Sequence, residues 1–200
     1  MTQQTYLPAA GLRWLLPLYD PFCRLAGVQR IHRQLIEHAA PRPGHRVLEI
    51  GCGTGTLLTA LARTHPGVEA IGIDPDPAAL RRARRKAARN QIKVNFQRAY
   101  AGSLPLPDAS VDRVLSALML HHLERAEHER ALREARRVLL PGGELHVLDL
   151  VADHVRPSRL AATEPDRVLT AMFDAGLTQP VELARARVAF GRVVFYRASA

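Results

Sequence analysis

The stretch VLEIGCGTG at residues 47–55 decides the fold of this 200-residue chain. A strand-like segment runs directly into a loop with glycine at positions 51, 53 and 55, and a helical pattern with Leu57, Leu58 and Leu61 follows. Glycine suits such a turn because it adopts positive φ angles and lets a ligand approach the backbone closely. The stretch therefore predicts a β-α unit with a ligand site at its turn.

The spacing of the glycines distinguishes between the classes of ligand that this turn could bind. A dinucleotide fingerprint, G-x-G-x-x-G, requires glycine at position 56, where the chain has Thr56. A phosphate-binding P-loop requires Gly-Lys followed by Ser or Thr, which this segment lacks. The pattern present is E-x-G-x-G-x-G, with Glu49 two residues before the first glycine. The spacing therefore disfavours both dinucleotides and P-loop nucleotides.

Short apolar runs alternate with helical patterns after residue 45, which is typical of a parallel sheet flanked by helices. Predicted strands cover residues 46–50, 68–73, 93–98, 112–117 and 144–150. Predicted helices cover 77–90 and 124–139, and Pro141-Gly142-Gly143 is predicted to form the turn before the fifth strand. A helix at 164–175 and strand-like runs at 181–190 and 192–197, separated by Gly191, predict a closing antiparallel hairpin.

Apolar residues recur every three or four positions from Phe22 to Ala39, ahead of the first strand. The segment Pro41-Arg42-Pro43-Gly44 then ends this helical pattern. We therefore predict a helical N-terminal cap over residues 1–43 and one ligand-binding domain over residues 44–200. The fold class is α/β, with a Rossmann-like, doubly wound sheet that is mostly parallel and closes with an antiparallel C-terminal hairpin strand.

Composition narrows the classes of partner. The net charge is +9, but the arginines are scattered and lack the interleaved aromatic residues of a base-stacking surface, so nucleic acid is not the expected partner. Cys23 and Cys52 form neither a disulfide framework nor a metal motif, and no metal is expected. No signal peptide or transmembrane segment is predicted, which favours the cytoplasm. Peripheral membrane contact and the oligomeric state stay open.

Five segments, in order, resemble the motifs of class I S-adenosylmethionine-dependent methyltransferases. They are residues 47–55, Gly72-Ile73-Asp74, 104–114, Leu120-His121-His122-Leu123 and 137–143. The resemblance covers about residues 44–150 and is nearest to the ubiquinone and menaquinone biosynthesis C-methyltransferases, whose Tyr-Asp segment is similar to Tyr19-Asp20. One slot departs from the pattern, since Ala99-Tyr100-Ala101 stands where relatives commonly carry Gly-Asp-Ala.

The resemblance implies S-adenosyl-L-methionine as the cofactor and assigns residues to it. Asp74 is expected at the ribose hydroxyls, although a helix cap is the alternative for this residue, and Glu49 is expected near the methionyl end. Tyr100 and Ala101 are expected at the adenine. The predicted set is completed by residues of the glycine loop and of the strand ends: Gly51, Cys52, Gly53, Gly55, Pro75 and Ser116.

The candidate catalytic residues are His121, His122 and Tyr19. A histidine beyond the fourth strand is suited to accept a proton from the methyl acceptor, but the pair also fits a helix entry with one packed and one solvated ring. Tyr19 either lines the acceptor site or joins the cap to the sheet. The leading hypothesis is a methyltransferase for a small, apolar or aromatic acceptor. An RNA or protein methyltransferase and a non-catalytic cofactor-binding module are the alternatives.

Overall fold

The computed structural model describes residues 26–151 and 164–200 of the chain. Helices and strands alternate along these residues, with a short 3₁₀ turn at Leu120–His122. In chain order the elements are α1 (Val28–Ala39), β1 (Arg46–Ile50), α2 (Thr56–Thr64), β2 (Glu69–Asp74), α3 (Pro77–Arg89), β3 (Asn95–Arg98), β4 (Val111–Ala117), α4 (Arg125–Val138), β5 (Leu139–Leu150), α5 (Pro165–Asp174), β6 (Thr178–Val188) and β7 (Gly191–Ser199).

The strands form one seven-stranded sheet in the order β3-β2-β1-β4-β5-β7-β6. The pairs from β3 to β5 are parallel, whereas β7 pairs antiparallel with both β5 and β6. The predicted mostly parallel sheet with an antiparallel C-terminal hairpin is confirmed. The strand order reverses between β1 and β4, and ligands of such sheets bind at the carboxyl ends of the strands beside this point.

Helices cover both faces of the sheet. Val47 of β1 packs into a core with α1, α2 and α3, whereas its neighbour Leu48 packs into a second core with α4 and α5, because successive strand residues point to opposite faces. The apolar stripe of α1 belongs to the first core, where Ile31, Leu35 and Ala39 are fully buried. Helix α1 therefore covers a face of the sheet, and residues 1–25 lie outside the described part.

The extent of β5 differs from the sequence prediction. The strand begins at Leu139, which pairs with Val111, and the register then shifts so that Glu144 pairs with Arg113. The predicted turn at Pro141-Gly142-Gly143 is thus an irregularity inside the strand, where Gly142 has a φ of 77°. This segment stays attached to the sheet because the Gly142 N–H donates to the Ala200 carbonyl, 3.3 Å away, and the Ala200 N–H donates to the Gly143 carbonyl.

Within residues 26–151 and 164–200, no helix is long and apolar enough to cross a membrane. No group of three or more His, Cys, Asp or Glu side chains within the same residues is arranged to hold a metal ion.

Candidate functional site

The glycine loop between β1 and α2 is held against the end of β2. The N–H groups of Gly51 and Cys52 donate to the Ile73 carbonyl at 2.8 and 3.0 Å. The Gly53 N–H donates to Oδ2 of Asp74 at 2.8 Å. These bonds fix the loop at the carboxyl end of the sheet, beside the point where the strand order reverses.

The three glycines of this loop are required for different reasons, although all have positive φ. A Cβ on Gly51 would overlap the Met119 side chain, and one on Gly55 would lie 2.9 Å from Cζ of Phe96. A Cβ on Gly53 would meet nothing within 4 Å. Gly53 therefore faces open space, whereas the protein itself excludes side chains at positions 51 and 55.

Asp74 is buried at the end of β2 and binds backbone groups through both oxygens. Oδ1 accepts from the Asp76 N–H at 2.8 Å, and Oδ2 accepts from the Gly53 N–H. Burial raises the pKa of Asp74, and the two N–H donors act in the opposite direction. The helix cap of α3 is Asp76, whose Oδ1 accepts from the Ala78 N–H at 2.8 Å. Asp74 is therefore placed toward the loop and is not the cap of the next helix.

Glu49 is a buried carboxyl group inside β1, with 3% of its surface exposed. Its Oε2 atom has no hydrogen-bond partner among residues 26–151 and 164–200. Burial, followed by the nearby Asp74 carboxylate, raises the pKa of Glu49 well above its usual value. Leaving such a group without a partner is costly, so this position points to a ligand that supplies one.

One cavity brings together most of the residues predicted from the sequence. Glu49, Gly51, Cys52, Gly53, Asp74, Pro75, Tyr100, Ala101 and His122 line it. Gly55 and Ser116 do not belong to the lining: Gly55 packs against Phe96, and Ser116 is buried within β4. Tyr19 lies outside the described residues.

The two candidate histidines have different surroundings. His121 is buried behind the cavity wall. Its ring Nδ1 pairs with Oδ1 of Asp149, and its backbone N–H donates to Oδ2 of Asp149 at 2.9 Å. His122 faces the cavity, and its ring centroid lies 4.1 Å from that of His121. Burial, followed by the neighbouring His121, lowers the pKa of His122 to about 4. At neutral pH His122 is therefore an uncharged imidazole with an unpartnered Nδ1.

Several lining residues were missed by the sequence analysis. Leu118 and Met119 follow β4, so the rule that ligands bind at strand ends could have found them. His32 lies on the buried face of α1, where a histidine looks like a core residue. Glu127 and Arg130, one turn apart on α4, also line the cavity. No spacing signal indicates these last three residues.

Comparison with known proteins identifies the family. The profile of a family described as "Methyltransferase domain" matches residues 47–143. A demethylmenaquinone methyltransferase of Thermus thermophilus is 38% identical over 138 residues, which is 68% of this chain and 62% of that protein. The chain belongs to the class I S-adenosylmethionine-dependent methyltransferases. It spans about three fifths of the length of the curated methyltransferases that it matches.

Solved structures share the fold of this chain. An S-adenosylmethionine-dependent methyltransferase of Thermotoga maritima, titled a possible histamine N-methyltransferase, has a TM-score of 0.71 at 22% identity, covering 93% of this chain and 96% of that one. The [4+2]-cyclase SpnF has a TM-score of 0.74 at 22% identity, and the match covers 85% of this chain and 79% of the cyclase chain. At these identities the likeness concerns the fold alone, and the fold by itself does not determine the reaction.

The cavity fits S-adenosylmethionine, the cofactor of the family. Gly53 leaves the space above the loop open, and Asp74 offers a carboxylate beside it. Glu49 presents a buried carboxyl oxygen without a partner, as the ammonium group of an amino acid requires. The donors and acceptors of the described residues therefore match a ligand that carries ribose hydroxyls and an amino-acid end.

Proposed function

We propose that this chain transfers the methyl group of S-adenosylmethionine to a small, apolar or aromatic acceptor. The observation that carries the proposal is the continuity of one cavity. The carboxyl groups of Glu49 and Asp74 line the same cavity as the apolar side chains of Leu118, Met119 and Leu123. The relative from Thermus thermophilus, named as a demethylmenaquinone methyltransferase, agrees with an acceptor of this class.

The residues of the glycine loop and the strand ends would hold the cofactor. Asp74 would accept hydrogen bonds from the ribose hydroxyls, because each of its oxygens keeps a lone pair beyond its backbone bond. Glu49 would accept from the amino group, and the ring of Tyr100 would lie against the adenine. Pro75 and Ala101 would complete the walls around the nucleoside.

The protein aligns the acceptor and receives its proton. The bound cofactor supplies an activated methyl group that transfers by in-line displacement. His122 faces the cavity as a neutral imidazole, so its ring can accept a proton from a hydroxyl or an activated carbon acid. Asp149 holds His121, and the His121 ring packs against that of His122, so this pair positions the base.

Methylation assays test the proposal directly. The full chain is incubated with S-adenosylmethionine and a panel of reduced demethylated quinones, naphthols, phenols and apolar amines, and methylated products are detected by mass spectrometry. We expect an apolar hydroxylated or activated aromatic compound to gain one methyl group while S-adenosylhomocysteine forms. Cofactor binding without methylation of any small molecule, together with methylation of RNA or protein from a cell extract, would contradict the small acceptor.

A second candidate is a cofactor-binding module without methyl transfer. Tyr100 occupies a slot where relatives commonly carry an acid, and a [4+2]-cyclase shares the fold. The same assays separate the two candidates. A non-catalytic module binds S-adenosylmethionine but forms no S-adenosylhomocysteine with any acceptor class.

The role of His122 predicts a specific kinetic signature. Replacing His122 with Gln should lower kcat about 100-fold, the range of a lost general base, and leave the cofactor Kd unchanged. Because the lowered pKa keeps His122 neutral, wild-type activity should stay level down to about pH 5 and fall as the pH passes about 4. The matched control is His128→Gln, a histidine of α4 outside the cavity lining. Equal activity of the His122 variant and the wild type would remove His122 from proton transfer.

A further inference from the structure

Among the described residues that line the cavity, four have a buried side-chain atom without a hydrogen-bond partner, and two of these, Glu49 and His32, come from different elements. Glu49 contributes Oε2 from β1, and His32 contributes Nδ1 from α1. Both residues line the cavity, and His32 is only 9% exposed. Nothing in the sequence or in the family comparison assigns a role to His32. Since buried polar groups in folded proteins are nearly always hydrogen-bonded, a ligand that reaches both atoms would supply their partners.

Nearby charges act on both of these side chains. Lys86, which is not part of the cavity lining, acts on His32 and on Glu49, and its Nζ donates to Oγ1 of Thr56 at 2.7 Å and to Oγ1 of Thr54 at 3.2 Å. The Asp74 carboxylate also acts on Glu49. Burial, followed by the positive charge of Lys86, lowers the pKa of His32 to about 4, so its ring is neutral and keeps one N–H donor.

A ligand with an ammonium and a carboxylate on one carbon can supply a partner to each of these groups. The ammonium can donate to Oε2 of Glu49, and the carboxylate can accept from the His32 ring. The neutral imidazole of His32 can add one hydrogen bond to the carboxylate without bringing a second positive charge beside Lys86. A positively charged histidine at that place would be repelled by the lysine.

We infer that His32 is a cofactor-positioning residue that donates a hydrogen bond to the carboxylate of the cofactor's methionyl group, while Glu49 binds the ammonium group. The inference rests on the family's cofactor and on the geometry of His32, and not on the acceptor proposed above. It is therefore tested by binding alone, and a failure to find an acceptor leaves it intact.

Four ligands, two with the complete amino-acid end and two that lack its carboxylate, test this assignment by calorimetric titration of the full chain. They are S-adenosylmethionine, S-adenosylhomocysteine, decarboxylated S-adenosylmethionine and 5′-methylthioadenosine, which lacks the amino-acid end. In His32→Leu, affinity for the first two should fall about tenfold, the size of one hydrogen bond to a charged group, and affinity for the last two should not change. In Glu49→Gln, decarboxylated S-adenosylmethionine should also bind more weakly, and 5′-methylthioadenosine should not.

Two further variants separate positioning from a structural role. His32→Asn keeps an amide N–H near the ring Nδ1 and should recover most of the lost affinity. His38→Leu, an exposed position on the same helix, is the matched control and should bind all four ligands as the wild type does. Without ligand, His32→Leu should melt at the wild-type temperature or above, because the substitution removes a buried polar atom that has no partner. Unchanged affinity for S-adenosylmethionine, or equal weakening of all four ligands with a lower melting temperature, would overturn the assignment.

Discussion

Asp74 uses its two carboxylate oxygens for the backbone and leaves their outer lone pairs toward the cavity. In Asp74→Asn, an NH₂ group replaces one of the two oxygens. Because this group is a donor, it cannot accept the hydrogen bond from the backbone N–H of Gly53 or Asp76 that it faces. We expect the free energy of unfolding to fall by about 1–3 kcal/mol, the cost of one buried donor without an acceptor. The cofactor Kd should rise at least about tenfold, because the acceptor of the ribose hydroxyls is weakened.

Calorimetric titration and urea unfolding of this variant check both parts of the prediction. Asp108→Asn is the control, since Asp108 is exposed and its carboxylate pairs with Arg137 far from the glycine loop. Wild-type affinity in the Asp74 variant would remove the side chain from the ligand site and leave it only its backbone role.

Site residues could be predicted best where a glycine turn or a family motif marks them. The glycines at positions 51, 53 and 55 have the positive φ expected of their turn, and Asp74 is marked by the resemblance of residues 72–74 to the second strand of the family. His32 could not be predicted, because its spacing within the apolar stripe of α1 is that of a core residue. Its difference from a core residue is the unpartnered Nδ1, which only the three-dimensional arrangement shows.

At the level of elements, β1 and β4 were predicted more accurately than β5 and β6. Strand β1 has the predicted bounds, whereas β6 begins three residues before the predicted position 181, at Thr178. The central strands are buried on both faces, so their apolar runs define them. Strand β6 lies at the edge and contains a register shift between Thr178 and Val181, which no local pattern indicates.

Strand β5 contains an acid-sensitive position outside the cavity. His146 is fully buried, and its Nε2 lies 3.2 Å from Oε2 of Glu144. Burial lowers its pKa to about 4, with Arg113 and Arg197 acting in the same direction and Glu144 opposing them. Between the ordinary value of 6.5 and about 4, the unfolded chain takes up a proton that the folded chain does not. The contribution of His146 to stability should therefore decrease as the pH falls through this range.

A comparison of the wild type with His146→Gln isolates this contribution from the other titrating groups. The difference in unfolding free energy, wild type minus variant, should fall by about 1–3 kcal/mol between pH 7 and pH 4.5. Urea unfolding at intervals of half a pH unit measures the difference. Parallel stability curves for the two proteins would show that His146 is not neutral in the folded state at acidic pH.

For the whole molecule, the fold class could be predicted because five motifs occur in the order that one sheet topology requires. The sequence predicted less of the cavity, since its walls come from loops and from helix faces without a spacing signal. The net charge of +9 is likewise uninformative about the site. Helix α3 carries many of the basic residues and has no acid of its own, yet only its first residues, near Ala79, reach the cavity.

The proposed cofactor contacts all lie within residues 26–200, and this predicts how removal of the N-terminal segment affects turnover and cofactor binding. Residues 26–200 retain α1, whose Ile31 and Leu35 are fully buried, so a deletion must stop at residue 25 to keep the core. They also retain the glycine loop, Glu49 and Asp74, which supply the proposed cofactor contacts.

We propose that the deleted segment, with Tyr19, forms a wall of the acceptor site. Turnover should then fall at least about tenfold, whereas the cofactor Kd should change by less than about threefold. Both quantities are measured on the truncated protein after circular dichroism confirms its fold, with Tyr19→Phe in the full chain as the matched point variant. Full turnover after truncation would place the acceptor entirely within residues 26–200. A loss of cofactor affinity as large as the loss of turnover would instead assign residues 1–25 to the cofactor.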